Sequence, residues 1–248
     1  MKDDLDTALA HLTAARNVVV LTGAGVSAES GIPTFREALT GLWARYRPEE
    51  LASPEAFQEN PQRVWDWYAW RRQLCLDVAP NAAHHAITAL QDLVPELVLI
   101  SQNVDGLHQR AGSANVLELH GSIHRIRCFA CDRPGGDWPD PVGEVPVCRC
   151  GGLMRPTIVW FGELLPADVL AQAEQAALGA DVMLSVGTSS LVYPAADLPY
   201  TAKRQGAFLI EVNPQPTPLS PIADVCLQGL AGTWLPRIVE ALSARREA

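Results

Sequence analysis

Val18-Val19-Val20-Leu21-Thr22-Gly23-Ala24-Gly25-Val26-Ser27-Ala28-Glu29-Ser30-Gly31-Ile32-Pro33-Thr34-Phe35-Arg36 is the stretch on which the reading of this chain turns. Its first five residues are an unbroken, β-branched apolar run, the pattern of a strand covered on both faces of a parallel sheet. The run empties into Gly23-x-Gly25-x-x-Ala28, a glycine-rich turn whose backbone N–H groups can approach a pyrophosphate closely. That spacing satisfies the loose dinucleotide fingerprint. A hydride-transfer enzyme would continue through a helix to a second strand and an acidic ribose ligand about 20 residues on. Here Gly31 and Pro33 stop a helix, and a Phe35-Arg36 pair follows. The stretch points to dinucleotide binding without hydride transfer.

Outward from it, residues 97–101, 116–119, 182–186, 207–212 and 224–227 repeat the short apolar strand pattern of residues 18–22. Helical patterns alternate with them. Residues 3–15 put Leu5, Leu9 and Leu12 on one stripe, and residues 81–93 open on a capping Asn81 after Pro80. Residues 166–178 and 234–243 follow the same rhythm. The alternation predicts a doubly wound, Rossmann-like α/β core. Two stretches break it: residues 36–78, rich in Trp and Tyr, and residues 125–157, which hold four cysteines among dense Gly and Pro. These are expected to form a small helical and metal-binding domain inserted into a larger one built from residues 1–35, 79–124 and 158–248.

A chain of 248 residues that is 48% apolar suits one core plus a small appended unit. Its net charge of −9 disfavours nucleic acid and anionic membrane as partners and tolerates basic, lysine-bearing ones. No apolar run approaches the ~20 residues a membrane span needs. The acidic, amphipathic start has the layout of neither a signal nor a transit peptide, so a cytoplasmic location and a monomer are expected.

Cys128-x-x-Cys131 and Cys148-x-Cys150 can present four thiolates tetrahedrally to one structural Zn²⁺, which would also hold the polar, Pro-rich segment between them. Cys75 and Cys226 read as ordinary buried thiols. A zinc ribbon would also fit a nucleic-acid adaptor, but Arg125, Arg127, Arg133, Arg149 and Arg155 are scattered among acids rather than striped. His120 closes the strand pattern Val116-Leu117-Glu118-Leu119 and precedes Gly121, at the strand end where open α/β sheets present chemistry. An imidazole suits a general base near neutral pH. His84 or His85 is expected as a core or capping partner in the helix after Asn81. Gln102-Asn103-Val104-Asp105-Gly106 follows another strand, and its amides and carboxylate could grip a carboxamide; the same residues also make plain turns. Gly187-Thr188-Ser189 and Asn213-Pro214 follow two further strands and suit phosphate and ribose contacts.

The run GAGVSAESGIPTFR, followed in order by PNAAHHAI, SQNVDGLHQRAG, LELHGS, the four cysteines, RPTIVWFGE, VGTSSLVYPAA and EVNPQPT, resembles the sirtuins, the NAD-dependent protein lysine deacylases. The resemblance spans nearly the whole chain. It implies NAD held by Gly23, Ala24, Gly25, Ser27, Ala28, Thr34, Phe35, Arg36, Gln102, Asn103, Val104, Asp105, Gly187, Thr188, Ser189, Asn213 and Ala231. Asn103 and Asp105 would line the nicotinamide pocket, with Asn103 and His120 catalytic. A substrate peptide would add as a strand between Val159, Phe161, Gly162 and Glu163 on one side and Leu191, Val192 and Tyr193 on the other. The implied reaction gives free lysine, nicotinamide and O-acyl-ADP-ribose.

Tyr68 and Arg71 stand three apart in a helical pattern, so a phenol and a guanidinium share a face and can clamp a carboxylate. In the family this YxxR motif marks members that favour succinyl, malonyl or glutaryl groups. Thr34 stands where most members carry Asp and where that branch often carries Thr. Pro48 stands where the branch usually has a small residue, so acyl-chain length stays open. Mono-ADP-ribosyl transfer and removal of lipoyl groups are alternative activities for the same pocket.

Overall fold

The computed structural model describes residues 2–33 and 46–247. In chain order the elements are α1 (Lys2–Ala14), β1 (Asn17–Thr22), α2 (Ala24–Ala28), α3 (Pro54–Glu59), α4 (Pro61–Asp77), α5 (Ala82–Leu93), β2 (Glu96–Ser101), α6 (Leu107–Arg110) and β3 (Leu117–Glu118). There follow β4 (Arg125–Cys128), β5 (Pro134–Asp137), β6 (Met154–Pro156), α7 (Ala167–Leu178), β7 (Val182–Val186), α8 (Asp197–Arg204), β8 (Phe208–Asn213), β9 (Val225–Gln228) and α9 (Ala231–Glu247).

Six strands form one parallel sheet in the order β3-β2-β1-β7-β8-β9. Counted within the sheet this is 3-2-1-4-5-6, the doubly wound order, and its direction reverses between β1 and β7. The apolar run of β1 splits by parity, because successive strand side chains point to opposite faces. Val18 and Val20 join the core beneath α1, α5 and α9. Val19 and Leu21 join the core beneath α7 and α8. Both layers are buried, which is why the strand reads as a continuous apolar run rather than as an alternation.

The expected strands are present within a residue or two, except that β3 keeps only two residues. The last helix begins at Ala231, three residues before the expected start, with Pro236 in its first turns. α8 is a helix the pattern did not suggest, since Pro199 sits within its first turn. α5 has the expected cap: Asn81 Oδ1 accepts from the backbone N–H of Ala83 and His84, while His84 Nδ1 accepts from Asn81 N–H.

A third apolar cluster gathers α3 and α4 against the small antiparallel sheet β5-β4-β6. Trp65 stacks on Trp138 with centroids 4.0 Å apart, and Phe57 packs between Phe129 and Trp160 at 5.1 and 5.4 Å. The aromatic residues of the described part of that stretch, residues 46–78, therefore serve this cluster, joining two segments far apart in sequence. Cys226 corrects its reading as a buried thiol. It lies on an edge strand and is exposed, because it occupies the outward parity of β9. Among the described residues no helix is long and apolar enough to cross a membrane.

Candidate active site

A cavity of about 310 Å³ opens between the C-terminal end of the main sheet and the aromatic cluster. Ala24 and Ser27 of α2, Ile32, Pro33, Ala52, residues 102–105, His120 and residues 158–163 line it, with Val192 and Tyr193 at its rim. Tyr68, Arg71 and Cys75 of α4 reach it together, since spacings of three and seven keep them on one helical face.

The turn after β1 works by close approach. Gly23 N–H donates to Val186 O and Gly25 N–H to Gly187 O. A Cβ on Gly25 would lie 2.7 Å from that same carbonyl oxygen. Glycine is required because β1 and β7 converge here, at the point where the sheet order reverses. The loop after β2 is pinned onto this turn. Asn103 Nδ2 donates to Gly23 O and Ser27 Oγ, each at 3.0 Å. Ser27 Oγ donates to Asp105 Oδ2 at 2.7 Å, and Asp105 Oδ1 accepts from Leu107 N–H at 2.9 Å. These bonds spend the donors of Asn103, leaving its side-chain carbonyl as the group to face a ligand. Gln102 Nε2 donates to Thr188 Oγ1, and Asn213 Nδ2 to Thr188 O, both at 3.0 Å.

The expected NAD residues thus divide. Ala24, Ser27 and residues 102–105 line the cavity, while Gly23, Gly25, Gly187, Thr188 and Asn213 meet beside it at the ends of β1, β7 and β8. Ala28 ends α2, and exposed Ser189 follows Thr188. Ala231 opens α9, whose first turn is tied to α2 by Gly232 N–H donating to the Glu29 carboxylate. Thr34, Phe35 and Arg36 lie outside the described residues, as does the Pro48 side chain.

His120 lies two residues beyond β3, with its Nδ1 2.8 Å from Gln102 O. A carbonyl can only accept, so Nδ1 carries the proton and Nε2 keeps its lone pair. Burial pulls the imidazole below its ordinary value, although the Gln102 bond opposes this, so the ring is neutral at pH 7. The next residue must turn sharply. Gly121 has φ of +75°, and a Cβ there would meet Thr157 O at 2.0 Å.

On the opposite wall, burial raises the Tyr68 phenol far above its ordinary value, so it stays a donor. Burial also pulls the Arg71 guanidinium below its ordinary value; a guanidinium nevertheless stays charged in proteins. Burial pushes the Cys75 thiol up to about 12, making it inert here; its place on the cavity wall was not foreseen. Glu163 reaches the wall, but its carboxylate is held by Arg155. Leu191 is 60% exposed beside the lining pair Val192 and Tyr193.

Two histidines outside the expected set support the loop from behind. His124 Nε2 donates to Asp105 O at 2.7 Å. His108 Nε2 pairs with Thr22 Oγ1 at 2.9 Å, with its ring 4.8 Å from that of His84. Burial lowers His84 to about 4 and His108 to about 3.

At the far end of the small sheet, the Sγ atoms of Cys128, Cys131, Cys148 and Cys150 all lie within 4.8 Å of one another. Cys128 is 3.5 Å from Cys150, and Cys131 is 3.9 Å from Cys148. Four sulfurs at about 2.3 Å from one Zn²⁺ would stand roughly 3.8 Å apart. The donor set therefore fits a closed tetrahedral site with a structural role. Gly152 lets the second knuckle close, because a Cβ there would meet Cys128 Sγ at 2.9 Å.

The profile of the Sir2 family matches residues 23–194. The chain belongs to the Sir2 family. It is 52% identical over 228 residues to an NAD-dependent protein deacylase of Aquifex aeolicus (strain VF5), covering 91% of this chain and 95% of the relative. A Sir2 homologue solved as its NAD complex superposes with a TM-score of 0.92 at 48% identity, over 97% of this chain and 94% of the other. Sir2Af2 bound to a myristoylated histone peptide superposes with a TM-score of 0.81 at 40% identity, over 100% and 99%. This Sir2-family fold has the doubly wound sheet and the four-cysteine cluster expected of it.

Proposed function

We infer that this chain, an NAD-dependent protein deacylase of the Sir2 family, removes acyl groups from protein lysines and favours acidic ones such as succinyl and malonyl. The supporting observation is one cavity that joins His120, with its free Nε2, to Asn103 and Asp105 on one wall and to Tyr68 and Arg71 on another.

NAD is consumed as a co-substrate. The glycine turn after β1 and the ends of β7 and β8 bind its phosphates and adenosine. Asn103 and Asp105 hold the nicotinamide end and orient the ribose. Both are locked by several hydrogen bonds, so little reorganisation accompanies reaction. The acyl-lysine enters along residues 159–163 and 191–193, and its carbonyl oxygen attacks the ribose C1′ as nicotinamide departs. His120 Nε2 then takes the proton of a ribose hydroxyl, whose oxygen attacks the former acyl carbon; one water adds to that carbon as its C–N bond breaks, releasing the protonated lysine and leaving the acyl group as an ester on ADP-ribose. Tyr68 and Arg71 receive the distal carboxylate of the acyl chain. The carboxylate replaces water around a half-buried guanidinium, which is where acidic groups gain over acetyl. A cytoplasmic setting suits four thiols kept reduced for metal.

Incubation with NAD and matched acetyl-, malonyl- and succinyl-lysine peptides tests this. Free lysine peptide, nicotinamide and O-acyl-ADP-ribose are expected in equal amounts, fastest from the acidic acyl groups. ADP-ribose attached to protein, with the acyl-lysine intact, would overturn the reading in favour of ADP-ribosyl transfer.

A further inference from the structure

Residues 158–163 line the cavity without belonging to a helix or strand, so tertiary bonds must satisfy and place their backbone. Val159 N–H donates to His120 O and Phe161 N–H to Ala52 O, each at 2.9 Å, and Arg155, the middle residue of β6, anchors the two ends of the segment. Its side chain is only 2% exposed. Nη2 donates to Ile158 O at 2.7 Å and to Glu163 Oε2 at 2.9 Å, Nη1 pairs with Glu163 Oε1, and Nε donates to Pro156 O at 3.3 Å. Glu163 Oε2 also accepts from Trp160 N–H at 2.7 Å. One ion pair therefore closes a ring across the cavity-lining segment and holds it at Ile158, Trp160 and Glu163.

The pair also sets a side chain. Arg155 Cζ lies 3.2 Å from the centroid of the Trp160 ring, and that ring stands 6.2 Å from the ring of Tyr68 at 26°. The guanidinium, the indole and the phenol thus run in sequence from the small sheet to the acyl-binding wall. Neither Arg155 nor Glu163 bonds the glycine turn, residues 102–105 or the ends of β7 and β8. A buried ion pair is a poor route to stability, because desolvation cancels most of its Coulomb gain. A planar guanidinium, in contrast, fixes several acceptors in one geometry.

We propose that Arg155 and Glu163 are positioning residues for the acyl-lysine side of the site alone: their ion pair holds residues 158–163 and the Trp160–Tyr68 contact in the form that receives substrate. This deepens the acyl-lysine reading above and rests on it.

Glu163→Gln keeps the shape and loses the charge; Glu163→Asp keeps the charge and shortens the reach by one methylene. Calorimetric titration of each variant with a succinyl-lysine peptide and, separately, with NAD is expected to show the peptide Kd raised at least tenfold and the NAD Kd within twofold. Glu59→Gln, which breaks the exposed Arg63–Glu59 pair between α3 and α4, is expected to change neither. A purely structural role would weaken both ligands in step with lost folding. Equal weakening of both ligands, or a peptide Kd within twofold of wild type in either folded variant, would overturn the proposal. Wild-type protein that binds NAD but no acyl-lysine peptide would instead overturn the functional reading beneath it.

Discussion

Replacing Arg71 with Met removes one guanidinium from the cavity wall proposed to receive the acyl group and leaves a side chain of similar reach. Arg71 lines the cavity with Tyr68 and is partly buried, so a carboxylate bound there is largely shielded from water. A hydrogen bond to a charged group contributes about 1.5–3 kcal/mol, and stripping one partner from a buried pair costs about 3–5 kcal/mol. A half-open cavity lies between these, at about 2–4 kcal/mol. At about 1.36 kcal/mol per decade, kcat/KM for a succinyl-lysine peptide falls roughly 30- to 900-fold. An acetyl group carries no carboxylate, so its kcat/KM changes only through repacking, about threefold or less. Tyr68→Phe removes one neutral donor and is expected to cost the succinyl substrate about tenfold. Initial rates of nicotinamide release from matched peptides measure both. Equal losses on the two substrates would refute the clamp.

His120→Tyr is expected to abolish acyl removal and to leave the thermal unfolding midpoint near that of wild type; appreciable turnover would remove His120 as the base. With neutral His120 as the proposed base and its pKa depressed, kcat should hold level above pH 6.5 and fall only at lower pH. Stability has the same sign: the unfolded chain protonates His84 and His108 below pH 6.5 while the folded chain refuses until about 4 and 3. Stability should therefore drop by roughly 2–4 kcal/mol from pH 7 to pH 5, read by urea unfolding, and His108→Asn should flatten that slope. Elemental analysis should find one zinc per chain, and Cys148→Ser should lose the metal and melt the small sheet, seen as weakened Trp138 fluorescence contrast on unfolding.

The amino-acid sequence by itself determined the local backbone and the chemical inventory. A strand buried on both faces is apolar at nearly every position, so the strands containing residues 18–22 and 182–186 were legible from their apolar runs, broken only by Thr22 and Ser185. The glycines after them were legible because only glycine survives the approach of β1 to β7. The helical phase of Tyr68 and Arg71, and the spacing of the four cysteines, are also properties of short segments. The tertiary structure decided which of these groups meet. Cys75 had no marker of a cavity wall, and His124 none of a support for Asp105, because both roles depend on segments distant in sequence: the wall facing Cys75 comes from Ala52, residues 102–105 and beyond, and Asp105 lies 19 residues from His124. Arg155 read as one of five scattered arginines, yet burial and the facing Glu163 make it the centre of a bonded ring. Cys226 carried the same apolar neighbours as a core thiol, and only its place on an edge strand exposed it. Periodicity and turn chemistry act over a few residues and are written along the chain. Burial, pKa and ligand geometry are set by what packs across the fold, and distant segments acquire those neighbours only once the sheet and the aromatic cluster have closed around the cavity.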